Sequence, residues 1–414
     1  MPQEAGGGAV RDPIPARAPH AGRTAWAADP DHLRSLPAGQ QPEWSDRGVL
    51  DRATAQLARM PALVEWAEVH QLRALLAEAA AGRLAIVQAG DCAEDPRECT
   101  PAHVARKSAL LDALAGVMTL GGGKPVLRVG RIAGQFGKPR SQPTEQVDGR
   151  ELPVFRGFTV NSPAPFAHPR RAQAERLLLG YRAAREASDA LRRHRTEGGS
   201  TGAHVWTSHE ALILDYELPL LRRDEAGRAM LGSTHWPWVG ERTRQIGGAH
   251  VALLSAIANP VACKVGPGMR PGEPLELCER LDPDREPGRL TLISRMGAEL
   301  VASRLPALVR AVRAAGHPVI WLCDPMHGNT VTGPHGRKTR IVEHIVGEVR
   351  RFQFAVEQEG TAAGGLHLET TPDDVGECIA DADRLRPPAA PYKSACDPRL
   401  NLQQAITVAS AWGR

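Results

Sequence analysis

Residues 318–329 read PVIWLCDPMHGN. The apolar, β-branched run Pro318–Cys323 is bounded by proline on both sides, which predicts a short buried strand. The polar run Asp324–Asn329 follows at once and places a carboxylate, an imidazole and an amide where that strand meets a loop. For this stretch alone, a strand-ending turn with a surface histidine explains the pattern equally well. The balance changes because the same arrangement recurs along the chain.

Eight strand candidates alternate with helical segments. The strands are predicted at Leu84–Val87, Val126–Val129, His204–Ser208, Trp236–Gln245, Val261–Pro267, Leu290–Ser294, Pro318–Cys323 and Gly364–Glu369. The helices are predicted at Pro101–Thr119, Arg170–Arg195, His250–Ile257, Pro306–Gly316 and Arg340–Glu359, with a last one ending near Trp412. Eight alternations predict an α/β fold of the (β/α)8 TIM-barrel class rather than an open doubly wound sheet.

The first part of the chain has a different character. Residues 1–23 are rich in Gly, Pro, Ala and Arg, which predicts a mobile N-terminal arm. Residues 24–82 form a predicted helical extension, with helices at Asp51–Met60 and Leu63–Ala81. The loop-like stretch SLPAGQQPEW, residues 35–44, precedes these two helices. Residues 83–414 form the barrel, so residues 24–414 are predicted to be one domain.

Composition excludes several classes of protein. The formal net charge is +4 and the sequence pI about 8.8, which suits anionic small molecules; no tract of basic residues interleaved with aromatics suggests nucleic acid. The seven cysteines form no CxxC pair, which favours a reducing cytoplasm. No apolar run has the length of a membrane span and none resembles a signal-peptide core, so a membrane partner is not expected.

In TIM barrels the active site lies at the carboxyl ends of the strands. The residues at or just past the predicted strand ends are Cys92, Arg131, His209, Glu241 with Arg242, Lys264, Arg295, His327 and Glu369. All of them are polar or able to bind a metal. A barrel with a purely structural role would need far fewer such residues, so we expect an active site at this face.

One subset of these residues can bind a metal: Cys92, His327, Glu369 and, from the last loop, Asp397. A thiolate, an imidazole and two carboxylates suit Mn, Co, Fe or Zn better than Mg. Each residue alone has a simpler explanation, such as a buried small thiol for Cys92. Together at one barrel mouth they favour a metal site.

A second subset is cationic: Arg131, Lys138, Arg140, Arg242, Lys264 and Arg295. Clustered cations repel one another and lose hydration unless an anion joins them. Guanidinium groups match carboxylate and phosphate in a bidentate fashion. Lys138 and Arg140 alone can also be read as solvated loop charges, but the set as a whole predicts substrates that carry carboxylate and phosphate groups.

Eight motifs, in order, resemble those of class II 3-deoxy-D-arabino-heptulosonate 7-phosphate (DAHP) synthases: QAGDCAE, GRIAGQFGKPRS, WVGERTRQ, NPVACKVGP, LISRMG, DPMHGNT, GGLHLE and CDPRLN. The resemblance implies a TIM barrel that condenses phosphoenolpyruvate with erythrose 4-phosphate and water to give DAHP and phosphate. It implies a divalent metal, Mn or Co first and Zn or Fe next, on Cys92, His327, Glu369 and Asp397.

The resemblance also implies substrate roles. Phosphoenolpyruvate would contact Arg131, Glu241, Arg242, Lys264 and Arg295, and erythrose 4-phosphate would contact Lys138, Arg140 and Ser141. Lys138, Glu241 and Lys264 would take part in catalysis, Glu241 with Lys138 by orienting or deprotonating the attacking water. If the fold brings Cys396 near Cys92, a disulfide would inactivate the site on oxidation; a buried inert thiol is an equally good interpretation.

The segment from Ser141 to Trp238 is short for the extra helical pair of the long-form enzymes, which helps to build their feedback sites. The chain therefore resembles the short forms of secondary metabolism, of the phenazine type, and we expect little inhibition by Phe, Tyr or Trp. A homo-oligomer, dimer or tetramer, is also expected. Three alternatives stay open: an amino-DAHP synthase, another metal-dependent phosphoenolpyruvate-condensing enzyme, and an inactive barrel that regulates a partner.

Overall fold

A computed structural model describes residues 28–197, 204–333, 336–381 and 390–413. Eight parallel strands close into a barrel. Each barrel strand pairs with the barrel strands that come before and after it in the sequence, and the last pairs with the first. The barrel strands are β1 (Ala85–Gly90), β2 (Val126–Arg131), β5 (Trp206–Glu210), β8 (Trp236–Val239), β9 (Val261–Val265), β10 (Leu290–Ser294), β11 (Ile320–Cys323) and β14 (Ala363–Glu369). The barrel predicted from the sequence is confirmed. The arm predicted at residues 1–23 lies outside the described residues.

Helices connect the strands and cover the barrel. They are α1 (Pro30–Ser35), α2 (Arg47–Arg59), α3 (Trp66–Ala80), α4 (Pro101–Gly122), α5 (Glu175–Glu197), α6 (Leu214–Glu217), α7 (Ala249–Ala256), α8 (Gly272–Leu281), α9 (Val301–Ala314), α10 (Val342–Gln358) and α11 (Leu402–Ala409). Three antiparallel hairpins complete the described chain: β3 (Thr144–Val147) with β4 (Arg150–Pro153), β6 (Leu221–Arg223) with β7 (Ala229–Leu231), and β12 (Thr330–Thr332) with β13 (Lys338–Arg340).

Helix α3 packs against the barrel interior with its apolar face. Leu72, Leu76 and Ala79 of this helix join a cluster that includes Trp206 and Trp236 from two barrel strands. All of these side chains are fully or almost fully buried. Burial of this much apolar surface stabilises the helix where it lies.

Close contact between β1 and β14 requires a glycine. Gly365 has φ +145°, and a Cβ at this position would lie 2.0 Å from the carbonyl oxygen of Ile86. The register that results pairs Gly90 of β1 with both Glu369 of β14 and Arg131 of β2. Two residues of the predicted site therefore flank the end of one strand.

Several predicted boundaries were wrong. Helix α9 begins at Val301 rather than at Pro306, which lies inside it. The missing N–H of Pro306 costs one helical hydrogen bond, but Val301 and Leu305 extend the buried apolar face of the helix. The fourth strand ends at Val239, before the polar run that the prediction included.

The polar stretch before α5, where the sequence predicts no strand, contains the β3–β4 hairpin. Asp148 and Gly149 both have positive φ, 50° and 74°, as a two-residue hairpin turn requires. Helix α8 was not predicted. Among the described residues, no helix combines the length and the apolar character that a membrane span requires.

Candidate active site

A polar cavity of about 180 Å³ opens at the carboxyl ends of the barrel strands. Most of the predicted site residues line it: Arg131, Lys138, Arg140, Ser141, Glu241, Arg242, Lys264, Arg295, His327 and Asp397. The two others, Cys92 and Glu369, are fully buried beside it and contact Asp397 and Lys138. The fold therefore brings together the predicted metal-binding and substrate-binding residues, whereas His209, which the sequence also placed at this face, does not line the cavity.

Three ligand-type side chains form a tight group at the buried side of the cavity. The ligand atoms of Cys92, Glu369 and Asp397 all lie within 4.8 Å of one another. The Cys92 Sγ is 3.8 Å from Asp397 Oδ2, and it accepts a hydrogen bond from the Asp397 backbone N–H at 3.2 Å. A thiol and two carboxylates held this closely could surround one ion.

His327 lies next to this group and is already oriented. Its Nδ1 lies 2.8 Å from Asp324 Oδ2, and its Nε2 lies 3.3 Å from Glu369 Oε1. A carboxylate that accepts the Nδ1 proton fixes the tautomer and leaves the Nε2 lone pair available to a metal. The sequence placed Asp324 in the motif but gave it no role, and its role is to orient this imidazole.

The protonation of the group also suits a cation. Burial raises the pKa of the Cys92 thiol well above its ordinary value, and contact with Cys396 and the charge of Glu369 raise it further. Burial would raise the pKa of the Asp397 carboxyl as well, but the charges of Lys138 and Arg340 hold it far below its usual range. The thiol therefore keeps its proton unless a cation replaces it, which is how a thiol site binds a divalent metal. The donor set of thiol, imidazole and carboxylates fits a transition-metal ion.

Cys396 lies near Cys92 and raises the pKa of its thiol. Both are thiols in this structure, and so are the other five cysteines, all of which belong to the described residues. The Sγ of Cys396 also lies 4.0 Å from a guanidinium nitrogen of Arg140.

Arg131 and Lys264 supply buried positive charge at the floor of the cavity. Arg131 is 3.1 Å from Glu369 Oε1 and stacks over the Trp238 ring at 5.2 Å. The Lys264 ammonium donates to Asp324 Oδ2 at 2.5 Å. Burial lowers the pKa of Lys264 to about 8, although Asp324 acts in the opposite direction. Both cations are held by carboxylates and face the cavity.

The KPRS loop after β2 forms another part of the cavity wall. Lys138 is buried and lies 2.9 Å from Asp397 Oδ2 and 3.2 Å from Glu369 Oε1. The Arg140 guanidinium is paired with Glu145 of the β3–β4 hairpin at 2.8 Å. The hydroxyl of Ser141 accepts from the Arg242 guanidinium at 2.5 Å. This last contact joins the loop after β2 to the loop after β8.

Comparison with known proteins gives the family. A family model described as the class-II DAHP synthetase family matches residues 28–204 and 194–412. The chain belongs to this family. It is 57% identical over 375 residues to a probable phospho-2-dehydro-3-deoxyheptonate aldolase of Pseudomonas fluorescens, covering 90% of this chain and 94% of the relative.

Two further relatives in this family are more distant. A phospho-2-dehydro-3-deoxyheptonate aldolase of Streptomyces coelicolor is 39% identical over 425 residues, covering 91% of this chain and 94% of the relative. A phospho-2-dehydro-3-deoxyheptonate aldolase AroG of Mycolicibacterium smegmatis is 37% identical over 433 residues, covering 92% of each chain. The resemblance inferred from eight motifs is therefore confirmed.

Sequence reasoning chose the wrong residue at the third strand of this class-II barrel. His209 is buried behind the cavity, with its Nε2 2.8 Å from Glu217 Oε1 and 3.5 Å from Ser233 Oγ. The next residue, Glu210, lines the cavity instead. Neighbouring residues of a strand point to opposite faces, so an error of one residue exchanged a buried histidine for a carboxylate in the site.

Glu210 is chemically distinctive among the cavity residues. Burial raises the pKa of its carboxyl, while the charges of Lys138 and Lys264 pull it down. Its Oε1 atom is buried and has no hydrogen-bond partner among the described residues. A carboxylate of raised pKa with an open acceptor atom is suited to receive a proton.

The β12–β13 hairpin contributes two lining residues that the sequence did not reveal. Thr330 and Lys338 line the cavity, and the Lys338 ammonium donates to Asp397 Oδ1 at 2.8 Å. Lys338 is half exposed, whereas Lys138 on the other side of Asp397 is buried. The short strands of this hairpin carry no apolar pattern, so nothing in the sequence indicates that they lie over the barrel mouth.

Proposed function

We propose that this chain condenses phosphoenolpyruvate with erythrose 4-phosphate and water to give DAHP and inorganic phosphate. One observation carries the proposal: the Cys92, Glu369 and Asp397 group adjoins a cavity lined by lysine and arginine side chains, in a chain of the class-II DAHP synthetase family. Both substrates are anions, and a cationic cavity beside a metal-type donor set accommodates both.

The cations divide between the two substrates. Arg131, Lys264 and Arg295 come from three strand ends and match the carboxylate and phosphate of phosphoenolpyruvate. Lys138 and Arg140 come from the KPRS loop and match the phosphate of the sugar. Arg131 and Lys138 contact the same oxygen of Glu369, so the two sets of cations adjoin. Holding both substrates in one cavity brings the methylene carbon of phosphoenolpyruvate close to the aldehyde carbon, which makes the reaction effectively intramolecular.

Cys92, His327, Glu369 and Asp397 would hold a divalent ion, which would supply Lewis-acid chemistry at the aldehyde oxygen. Mn²⁺ or Co²⁺ suits this mixed donor set best, with Zn²⁺ or Fe²⁺ next. The new carbon–carbon bond leaves positive charge at the enol carbon of phosphoenolpyruvate, and water adds there. The bond from this carbon to the phosphate oxygen then breaks, and Arg242 and Lys264 counter the charge of the departing phosphate.

Glu210 is the better candidate to accept the proton of the attacking water. The Oε1 of Glu241, the residue to which the resemblance assigns this role, is paired with Arg244 at 2.7 Å, while its Oε2 is buried without a partner among the described residues. Glu210 also has one such open oxygen, its pKa is raised by burial, and the charge of Lys138 acts on it. We therefore assign the proton to Glu210 and keep Glu241 as part of the wall that contacts phosphoenolpyruvate.

The chain also favours an enzyme without feedback control. Between Ser141 and Trp238, the described residues hold one long helix, α5, together with the short α6 and two small hairpins. Because an additional helical pair is what the feedback sites of long forms need, we propose that Phe, Tyr and Trp leave the activity unchanged. We also propose a homo-oligomer, dimer or tetramer, in the cytoplasm, which sedimentation and fractionation would test.

The test of the reaction is the identity of its product. The purified enzyme, supplied with Mn²⁺, is incubated with phosphoenolpyruvate and each of a set of aldehydes: erythrose 4-phosphate, its amino-sugar analogue, ribose 5-phosphate and unphosphorylated erythrose. We expect DAHP and one phosphate per phosphoenolpyruvate consumed with erythrose 4-phosphate. Preference for the amino analogue would make the chain an amino-DAHP synthase, and phosphate release without a seven-carbon product would contradict the proposal.

A further inference from the structure

The SLPAGQQPEW stretch, which the sequence singled out without explaining, lies against the loops of the barrel mouth. Its central residues 36–43 form no helix or strand. The backbone N–H of Ala249 donates to the Pro37 carbonyl at 2.9 Å. Gly39 lies beside the Arg242 carbonyl, and a Cβ on it would be in ordinary van der Waals contact with that oxygen at 3.5 Å. This N-terminal segment therefore touches the loop after β8 that carries Arg242.

Gln40, at the turn of this segment, holds the other cationic loop. Its side-chain Oε1 accepts the backbone N–H of Arg140 at 2.8 Å. Its carbonyl accepts from the Arg156 guanidinium at 2.5 Å, and the carbonyl of Arg156 in turn accepts the backbone N–H of Lys138 at 2.9 Å. Gln40 thus reaches the backbone of Arg140 directly and that of Lys138 through Arg156.

The backbone of Gln40 is unusual as well. Its φ is +63°, in the left-handed region that residues other than glycine adopt rarely. Conformations of this kind persist where surrounding contacts hold them, and they are concentrated at functional sites. In Gln40 this conformation accompanies contacts from the side chain to one loop residue and from the carbonyl to another.

We propose that Gln40 is a positioning residue for the sugar-phosphate end of the active site. The inference rests on the proposed function. By fixing the backbone at Lys138 and Arg140, Gln40 sets the positions from which their side chains reach the phosphate of the aldehyde substrate. An anion clamp depends on such geometry, because a small displacement of the binding groups weakens the contact.

The neighbouring Gln41 shows that attachment of the segment does not depend on Gln40. The Gln41 amide donates to the Leu212 carbonyl at 2.9 Å, and its Oε1 accepts the Leu214 N–H at 3.0 Å. Its Nε2 is also 3.2 Å from the His250 ring. Gln41 holds the segment against the barrel. The contacts of Gln40 are therefore not needed to attach the segment, and they hold the KPRS loop.

The test compares steady-state kinetics of the full chain with its metal for wild type, Gln40→Ala and Gln40→Gly, with each substrate varied in turn. Loss of one hydrogen bond predicts a KM for erythrose 4-phosphate about three- to tenfold higher, with the KM for phosphoenolpyruvate and the melting temperature nearly unchanged. Gln40→Gly relieves the left-handed backbone, so a defect in this variant cannot come from strain. Gln56→Ala, on the exposed face of α2, is the matched control and should behave as wild type.

Two results would overturn the inference. One is an unchanged KM for erythrose 4-phosphate in both variants. The other is an equal rise of both KM values with a lower melting temperature, which would give Gln40 a merely structural role. A wild-type protein that consumes no phosphoenolpyruvate overturns the proposed function and this inference with it, whereas an active wild type with unaltered variants overturns the inference alone.

Discussion

Asp324→Asn should weaken metal binding without removing any ligand. Asp324 is fully buried and contacts both the Nδ1 of His327 at 2.8 Å and the ammonium of Lys264 at 2.5 Å. Both contacts reach Oδ2, so an asparagine oxygen there can still accept from both groups. Its amide N–H₂ then replaces Oδ1 and faces the backbone N–H of Met326, which donates to Oδ1 at 3.1 Å in wild type, so two donors oppose each other. Loss of such an orienting partner typically reduces metal affinity 10–100-fold, which is about 1.4–2.7 kcal/mol.

The same substitution should shift the pH dependence of phosphoenolpyruvate binding. Burial sets the pKa of Lys264 at about 8, and Asp324 keeps it from falling further. Lysine is charged below its pKa, so removal of the carboxylate shortens the pH range over which the ammonium can bind an anion. In the variant, the KM for phosphoenolpyruvate should begin to rise at a lower pH than in wild type.

Isothermal titration calorimetry of the metal-free protein with Mn²⁺ measures the metal affinity directly. Asp112→Asn is the control, because Asp112 pairs at 2.6 Å with Arg128 and is 44% exposed, away from the barrel mouth. An Asp324→Asn protein that folds and binds Mn²⁺ within about twofold of the control would refute the argument that Asp324 orients a metal ligand.

Three further predictions concern catalysis and stability. Glu210→Gln should lower kcat about 10²- to 10⁴-fold, and Glu241→Gln should lower kcat less. Initial rates of phosphate release measure both effects. A larger loss of kcat in Glu241→Gln would assign the proton acceptor to Glu241 instead. Glu68→Gln should reduce the free energy of unfolding by about 1–2 kcal/mol near neutral pH. Burial alone would raise the pKa of Glu68, but its hydrogen bond to His235 lowers that pKa to about 2. The extra stability of wild type should therefore be complete above pH 4.5 and decline towards pH 2. Urea titrations that show the same difference in unfolding free energy between wild type and variant at pH 6 and at pH 4 would be inconsistent with this. Gly365→Ala should fold poorly, because the new Cβ would lie 2.0 Å from the carbonyl oxygen of Ile86. Gly116→Ala should keep or raise the melting temperature, because no neighbouring group lies within 4 Å of its Cβ. Equal soluble yields of the two variants would contradict the packing argument.

The barrel could be predicted because its strands are buried on both faces. Such strands appear in the sequence as short apolar runs, and each run here ends in a polar residue. Cys92, Lys264 and His327 were recognisable for that reason: each follows or interrupts an apolar run. The location of the site could be predicted from the fold, because the carboxyl ends of the strands of a parallel barrel lie at one face.

Features that depend on a one-residue register or on tertiary contacts could not be predicted. His209 and Glu210 are adjacent, and only the direction of the strand pleat decides which one enters the cavity. Lys338 reaches Asp397 from a hairpin without apolar alternation. Gln40 contacts Arg140 across 100 residues of sequence, and nothing in either motif alone indicates that partner.

The most direct test of the account is the initial rate of phosphoenolpyruvate consumption by protein treated with a chelator, measured with erythrose 4-phosphate before and after Mn²⁺ is restored, for wild type and Cys92→Ser. We expect almost no consumption without metal, full recovery of wild type with Mn²⁺, and weak recovery of Cys92→Ser that needs far more Mn²⁺. Full activity of the stripped protein, or equal recovery of the two proteins at equal Mn²⁺, would contradict a metal site built on Cys92, His327, Glu369 and Asp397.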